Sequence, residues 1–192
     1  MLDVYKNYCR FGFNSKGVLN KFEAVPSDNF NFGYDVVDVI AADEPEKKAI
    51  MWCNEHGNEK VLTFGDISRL SNKAANVFLS HGIKKGDMVM LVLKRHYQFW
   101  YSIIALHKIG AVVIPATNLL TKKDYIYRFN AASVKAIVCT ADDPVPQHVA
   151  DALPESPTVE KCFTVNGKFN GFFDLDEEIL NASETLDRIE NS

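Results

Sequence analysis

Three short, continuously apolar runs constrain the fold of this chain more than any other feature. The runs are MVMLVL, AVVIP and KAIVCT, at residues 88–93, 111–115 and 135–140. Uninterrupted apolar runs of this length are typical of strands that are buried on both faces. The segments between them, residues 97–109 and about 121–131, have helical patterns. Parallel strands need such crossover helices, so the sequence predicts an α/β fold with a parallel βαβαβ sheet and flanking helices.

The loop after the second run is the place where we expect a ligand. Gly110 predicts a tight turn before the run, and Pro115 ends it. A small polar loop then follows, from Ala116 through Thr117 to Asn118. In open parallel sheets, ligands bind beyond the carboxyl ends of the strands, which is where this loop lies.

The rest of the chain has weaker but recognisable patterns. Thr63 and Asp66, like Thr121 and Asp124, have the spacing of a helix cap. We expect further elements as follows: a helix at residues 1–11, a helix at 34–43, a hairpin of AIMWCN and KVLTF around residues 55–58, a weaker helix near Val149 and a strand at 162–165. The organisation is then a lead-in at residues 1–29, an α/β unit at 30–165 and a polar acidic tail at 166–192.

Composition and charge exclude several classes of function. The chain has 192 residues and a net charge of −4, which argues against a nucleic-acid partner, because phosphate binding needs a concentrated basic face. The most apolar segment, residues 97–109, is too short to span a membrane. The four cysteines are scattered without a CxxC pair, which favours a reducing, cytoplasmic location.

Motifs that would identify a catalytic centre are missing from the sequence. There is no GxSxG, GxGxxG or GxxxxGK[ST], and the five histidines have no metal-binding spacing. Asp142 and Asp143 follow a predicted strand and are candidates for a metal ion or a ribose, but a turn role is the simpler interpretation. The residues alone therefore indicate a parallel α/β domain without a complete catalytic constellation.

Longer stretches of the sequence resemble a known family. LTFGDISRLSNKAANVFLSHGIKKGDMVMLVL, at residues 62–93, and HKIGAVVIPATNLL, at 107–120, resemble the first two motifs of AMP-forming acyl-CoA synthetases. FNFGYDVVD and IPATNLLTKKDYIYRFN are similar to the medium-chain acyl-CoA synthetase branch, which is related to acetyl-CoA synthetases. The match covers residues 30–165. It implies the N-terminal subdomain of the adenylate-forming ligase fold, in truncated form.

The resemblance implies a two-step ligase reaction in the full-length family. A carboxylate and ATP form an acyl-adenylate with release of pyrophosphate, and coenzyme A then gives the acyl-CoA and AMP, with Mg²⁺ assisting the phosphate chemistry. The family's phosphate-binding loop, ribose-binding aspartate and late catalytic lysine have no counterpart here. Residues 166–192 resemble the segment that leads towards the missing loop. We therefore expect a fragment that is inactive alone and that holds none of these cofactors completely.

The same resemblance suggests the binding residues. Thr117, Asn118 and Leu119 occupy positions that approach the acyl and coenzyme A tunnel in relatives, and we assign no catalytic or metal-binding residue. Leu119 departs from the glutamine that medium-chain relatives often carry. Arg95 and His96 match a polar turn that is more simply structural or interdomain, and residues 99 and 100, Phe and Trp, have the spacing of core residues.

Other interpretations of the sequence stay open. The chain is compatible with a fragment of a different adenylating ligase, such as an aryl-acid- or amino-acid-activating one, and with a freestanding non-catalytic binding domain. The expected partners are a carboxylic acid and coenzyme A in the complete enzyme. A complementary ligase fragment, or self-association through an exposed apolar face, is a further possibility.

Overall fold

A computed structural model describes residues 3–190 and 192 of the chain. Its centre is a five-stranded parallel sheet, with the strand order β6-β5-β7-β8-β9. Two separate antiparallel hairpins, β1–β2 and β3–β4, precede it. The strands are β1 (Cys9–Phe13), β2 (Leu19–Ala24), β3 (Lys48–Cys53), β4 (Glu59–Thr63), β5 (Met88–Val92), β6 (Val112–Pro115), β7 (Ala136–Thr140), β8 (Lys161–Val165) and β9 (Phe173–Asp174).

Within residues 3–190, six α-helices accompany the strands. They are α1 (Val39–Asp43), α2 (Phe64–Ser80), α3 (Gln98–Lys108), α4 (Lys122–Ala131), α5 (Val145–Ala152) and α6 (Leu175–Asn181). A π-helical segment, Gly33–Asp38, runs directly into α1, and 3₁₀ turns form at Val4–Asn7 and Leu153–Glu155.

The helices cover the two faces of the parallel sheet separately. Buried residues of α2, α3 and α6 pack on one face, around Phe78 and Phe163. Buried residues of α4 and α5 pack on the other face, around Tyr125 and Phe129. The chain passes from β5 outward to β6 and then crosses back over β5 to β7. The order therefore reverses between the carboxyl ends of β5 and β7, and such a reversal opens a ligand crevice in parallel sheets.

The predicted parallel α/β sheet is confirmed. β5 pairs in parallel with both β6 and β7, and α3 and α4 make the two crossovers. Both predicted capping boxes form, at Thr63 with Asp66 and at Thr121 with Asp124. The predicted β3–β4 hairpin and the helix after Gly33 are also present.

The helix predicted at residues 1–11 does not form in residues 3–11, so the prediction is wrong there. Residues 1 and 2 lie outside the described part of the chain. A 3₁₀ turn is followed by the β1–β2 hairpin. The local reason is the connecting turn, where Asn14 Oδ1 accepts the backbone N–H groups of Lys16 and Val18 at 2.9 and 3.0 Å. Gly17 adopts a left-handed φ of 73°, which closes the turn without strain.

Residues 166–192, expected as a polar tail, contribute regular structure to the sheet. β9 pairs with β8, and α6 buries Leu175 and Ile179 in the core. The irregular residues 183–190, which we call the C-terminal strap, contact two places: Arg188 pairs with Asp35 of the π-helical segment, and residues 183–185 lie against α2. There the Asn76 side chain donates to the carbonyls of Ser183 and Thr185. The division of the chain into three parts, at residues 29/30 and 165/166, stays a prediction. Residue 191 lies outside the described residues.

A buried polar cluster joins the π-helical segment to α2 and α3. The Lys108 side chain has no solvent exposure, and its Nζ lies 2.7 Å from Asp38 Oδ1 and 2.8 Å from Asn72 Oδ1. Ser68 Oγ donates to the same Asp38 oxygen at 2.7 Å. Burial lowers the pKa of Lys108, and the Asp38 carboxylate opposes that shift. We call these four residues the Lys108 cluster. Asp38, the last residue of the FNFGYDVVD motif, therefore serves as the partner of a buried lysine.

Candidate functional site

An open cleft of about 880 Å³ lies at the carboxyl edge of the parallel sheet. Its lining comes from the segments that follow four strands of the sheet and from the tip of the β3–β4 hairpin. The lining residues are Trp52, Cys53, Asn54, Glu55, His56, Lys94, Arg95, His96, Ala116, Thr117, Asn118, Asp142 and Asn166. The cleft thus lies where the strand order reverses, the position that the sheet topology predicts for a ligand.

An ion pair bridges the ends of β5 and β7 in the floor of the cleft. Lys94 Nζ lies 2.8 Å from Asp142 Oδ2, and Asn166 Nδ2 donates to Asp142 Oδ1 at 3.2 Å. Burial alone would raise the pKa of Asp142, but these donors outweigh burial and hold that pKa below its ordinary value. Lys94 has a left-handed φ of 47°, which is uncommon for a residue with a side chain. The simpler turn interpretation of Asp142 therefore agrees with its contacts.

His96 ties the same two strand ends together. Its Nε2 lies 2.8 Å from Thr140 Oγ1 and 3.5 Å from Asp142 Oδ2. Burial lowers the pKa of His96, and the Lys94 ammonium adds to this, while the Asp142 carboxylate opposes it. The imidazole is therefore largely neutral at pH 7. These contacts are consistent with the structural interpretation of His96.

The β3–β4 hairpin forms one wall of the cleft because Trp52 docks it onto the end of β5. Trp52 Nε1 donates to the Arg95 carbonyl at 2.6 Å, and the indole packs edge-on against Tyr97 with ring centroids 5.5 Å apart. Lys60 Nζ lies 4.1 Å from the centroid of the Tyr97 ring, a cation–π contact. The sequence did not predict this wall, since no local pattern signals a contact across 43 residues.

Of the three predicted binding residues, the structure brings two to the cleft. Thr117 and Asn118 line it, whereas Leu119 is 80% exposed and is not part of the lining. Thr117 Oγ1 accepts the backbone N–H of Leu119 at 3.3 Å, so the loop is shaped by its own hydroxyl. Their assignment to the acyl and coenzyme A side stays a prediction.

The two aromatic residues at the start of α3 differ in their surroundings. Phe99 is partly buried and packs against the core. Trp100 is 49% exposed, so its expected core position is wrong. Trp100 occupies the outward face of α3, while the residues that follow it, Tyr101 and Ser102, turn inward.

The part of the chain that the structure describes contains neither clustered metal ligands nor a helix that could span a membrane. No three His, Cys, Asp or Glu side chains among residues 3–190 and 192 converge as metal ligands would. Among the same residues, no helix is long and apolar enough to cross a membrane.

Comparison with known proteins identifies a family and several similar enzymes. The AMP-binding enzyme family matches residues 37–186. The chain is 37% identical to the acyl-coenzyme A synthetase ACSM5, mitochondrial, of Rattus norvegicus over 143 residues, 71% of this chain and 24% of that protein. It is 32% identical to the acyl-coenzyme A synthetase ACSM4, mitochondrial, of Mus musculus over 179 residues, 90% of this chain and 30% of that protein.

Solved structures show the same fold. An acyl-CoA synthetase of Brucella canis superposes with a TM-score of 0.73 at 20% identity, covering 86% of this chain and 30% of that one. The anthranilate CoA ligase AuaEII gives a TM-score of 0.72 at 17% identity over the same shares. The chain thus spans about a quarter to a third of its relatives and has the N-terminal part of their fold. With the family match and the parallel sheet in agreement, the chain belongs to the AMP-binding enzyme family of adenylate-forming ligases.

Proposed function

We propose that this chain supplies the acyl and coenzyme A side of an AMP-dependent acyl-CoA synthetase acting on a fatty or other carboxylic acid. The observation that carries the proposal is the cleft at the carboxyl edge of the sheet, lined by Thr117 and Asn118, in a chain of this family. The overall reaction would convert a carboxylate, ATP and coenzyme A into acyl-CoA, AMP and pyrophosphate.

The two steps of the reaction would be divided between this chain and the remainder of the enzyme. A carboxylate is a poor acyl donor until one of its oxygens becomes a good leaving group, so a phosphate-binding site must act first. This chain would contribute to the second half, in which a thiol reaches the activated acyl group. The hydroxyl of Thr117 and the amide of Asn118 are suited to hydrogen-bonding the amide groups of a pantetheine chain.

We propose further that the chain alone does not catalyse adenylation. The test is pyrophosphate exchange with the purified chain, ATP and Mg²⁺, using acetate, butyrate and octanoate in turn. The expected result is no exchange above the protein-free background with any acid. Clear turnover with one of them would show that the chain contains a phosphate site that the cleft does not provide.

Binding of coenzyme A tests the cleft itself. Titration calorimetry is expected to detect weak binding of coenzyme A to the wild-type chain, weakened at least threefold by Thr117→Val combined with Asn118→Ala. Asn170→Ala, at an exposed loop position away from the cleft, serves as the matched control and should bind as the wild type does. Equal binding by all three proteins would remove Thr117 and Asn118 from the proposed site.

The same assays separate the alternatives. A freestanding binding domain would bind neither coenzyme A nor a carboxylic acid in the cleft. A fragment of an aryl-acid- or amino-acid-activating ligase would show a preference for benzoate or an amino acid in the same titrations. The complementary part of such a ligase stays a proposed partner.

Location is likewise a proposal. The chain has four cysteines, all free, which suits a reducing compartment, and we propose the cytoplasm. The relatives named above are mitochondrial proteins, so the alternative compartment is the mitochondrion. Fluorescence microscopy of the tagged full-length gene product would distinguish the two.

A further inference from the structure

The β1–β2 hairpin stands apart from the rest of the structure. It forms a two-stranded sheet of its own, and within the described residues neither outer edge pairs with another strand. Its anchor is Tyr8, whose ring packs on Phe30 with centroids 4.7 Å apart and whose hydroxyl lies 3.4 Å from the Asp35 carbonyl oxygen. Isolated two-stranded hairpins are marginally stable in water, so pairing with further strands would stabilise this one.

The hairpin has one aromatic face. Phe11 is paired directly with Phe22, and their ring centroids lie 5.5 Å apart. Tyr5 extends this group, with its ring 5.6 Å from that of Phe11. Tyr5, Phe11 and Phe22 are 51, 42 and 60% exposed, and Phe13 is 63% exposed. Such a concentration of exposed aromatic residues marks an interaction surface.

The opposite face carries charges in an ordered pattern. Arg10 is paired with Glu23 across the hairpin, and Gly12 is paired with Lys21. Lys21 Nζ also lies 3.3 Å from Glu23 Oε2 within β2. Lys21 and Glu23 therefore flank Phe22 symmetrically with opposite charges, and both point away from the aromatic face.

This arrangement makes the outer edge of β2 complementary to itself. If β2 pairs antiparallel with β2 of a second copy about a two-fold axis at Phe22, Lys21 of each copy lies opposite Glu23 of the other. Each charged row then alternates in sign, from Arg10 to Glu23 to Lys21 of the second copy. On the other face, Phe11 and Phe22 of both copies form one continuous aromatic row. The outer edge of β1 lacks this property, because a two-fold axis at Phe11 would place Arg10 opposite Gly12.

We propose that a second copy of this chain docks on the outer edge of β2, so that the two hairpins form a four-stranded antiparallel sheet. Opposite charges and aromatic residues that face each other across strands stabilise strand pairing, and the two-fold axis repeats the charge pair. The charge pattern, rather than exposure alone, selects a second copy as the occupant. This interface does not depend on the proposed ligase function.

The experiment measures dimer dissociation of the full chain by analytical ultracentrifugation at low salt. The wild type is expected to dimerise reversibly, and Lys21→Glu should raise the dissociation constant about tenfold, because it places Glu opposite Glu twice. Lys16→Glu, in the exposed turn of the hairpin, changes the net charge equally and should leave the constant unchanged. Inversion of the whole pattern, with Arg10→Glu, Lys21→Glu and Glu23→Lys together, should restore dimerisation.

Amide hydrogen exchange provides the second readout in case a variant hairpin unfolds. In the wild type, the outer-edge amides of β2 should exchange more slowly as protein concentration rises, while those of the Asn14–Gly17 turn should not. A chain that is monomeric at all concentrations would overturn the proposal. So would a dimer that Lys21→Glu and Lys16→Glu affect equally, since such a dimer would use the aromatic face or another surface.

Discussion

Two lysine–aspartate pairs in this molecule have nearly the same geometry and different surroundings. Lys108 and Asp38 are 2.7 Å apart, and the lysine side chain is completely buried. Lys94 and Asp142 are 2.8 Å apart, and each side chain is about one-third exposed, at 32 and 34%. With Asn72 and Ser68, the first pair joins three helical segments, whereas the second lies in the cleft at the carboxyl edge of the sheet.

The difference shows that solvent, rather than distance, decides what an ion pair does. The Lys108 ammonium has lost its hydration, although Asp38 is still 28% exposed, so the protein itself must satisfy the buried charge. An exposed pair is screened, and water replaces either partner at little cost. The Lys108 cluster is therefore a structural element, whereas we expect the Lys94–Asp142 pair to contribute little to stability.

Removal of the buried ammonium should produce the largest effect. We expect Lys108→Met to lower the free energy of unfolding by about 3 kcal/mol, because Asp38 and Asn72 each lose a hydrogen bond from the charged ammonium. Urea denaturation followed by circular dichroism measures this. The exposed Lys84→Met is the control and should change the value by less than about 0.5 kcal/mol. A loss below about 1 kcal/mol for Lys108→Met would contradict the structural role.

The close packing around the same lysine gives the second prediction. A Cβ on Gly33 would lie 2.7 Å from Cγ of Lys108 and 3.1 Å from Asn31 Oδ1. Overpacking of this kind should make Gly33→Ala destabilising by about 2 kcal/mol. In a Lys108→Ala background, which removes that Cγ, the additional cost of Gly33→Ala should fall below about 1 kcal/mol. Equal costs in the two backgrounds would show that the lysine stem is not the obstacle.

The exposed pair should behave in the opposite way. We expect Lys94→Met to change the free energy of unfolding by less than about 1 kcal/mol, since Asp142 can be solvated and keeps the Asn166 amide. The same urea titration as for Lys108→Met makes the two values directly comparable. The comparison between the pairs fails if Lys94→Met costs as much as Lys108→Met does.

His96 should give the smallest effect, visible as a pH dependence. Burial makes the folded-state pKa of His96 lower than its ordinary value of 6.5. The unfolded state therefore binds more protons as pH falls, so the stability from neutral His96 is complete above pH 6.5 and decreases below it. His96→Gln should reduce the slope of unfolding free energy between about pH 7 and pH 5. The exposed His56→Gln variant should keep the wild-type slope, and an unchanged slope in His96→Gln would contradict the prediction.

The elements that could be predicted from the sequence are those determined by residues close together in the chain. β5, β6 and β7 are continuous apolar runs, and the Thr63 and Thr121 caps each need only a partner three residues away. The missed features depend on distant contacts. Trp52 docks the hairpin wall on Arg95 across 43 residues, and Asn76 holds the C-terminal strap across more than 100.

The candidate site likewise combines locally encoded features with features that depend on distant contacts. The loop at Thr117 and Asn118 was predicted because Pro115 ends a strand and polar residues follow it. That Leu119 would be exposed could not be predicted, since the loop conformation depends on how β6 ends beside β5. The turn role favoured for Asp142 agrees with the structure, but its ion pair with Lys94, 48 residues away, could not be predicted.

By itself, the sequence determined the parallel α/β class, the helix caps and the family, because apolar periodicity and motif spacing are local properties that folding preserves. The tertiary structure alone decided the strand order, the cleft between strand ends, and which lysine lies buried against an aspartate. These features depend on where crossover helices return the chain, and only the packed molecule settles which polar groups lose their water.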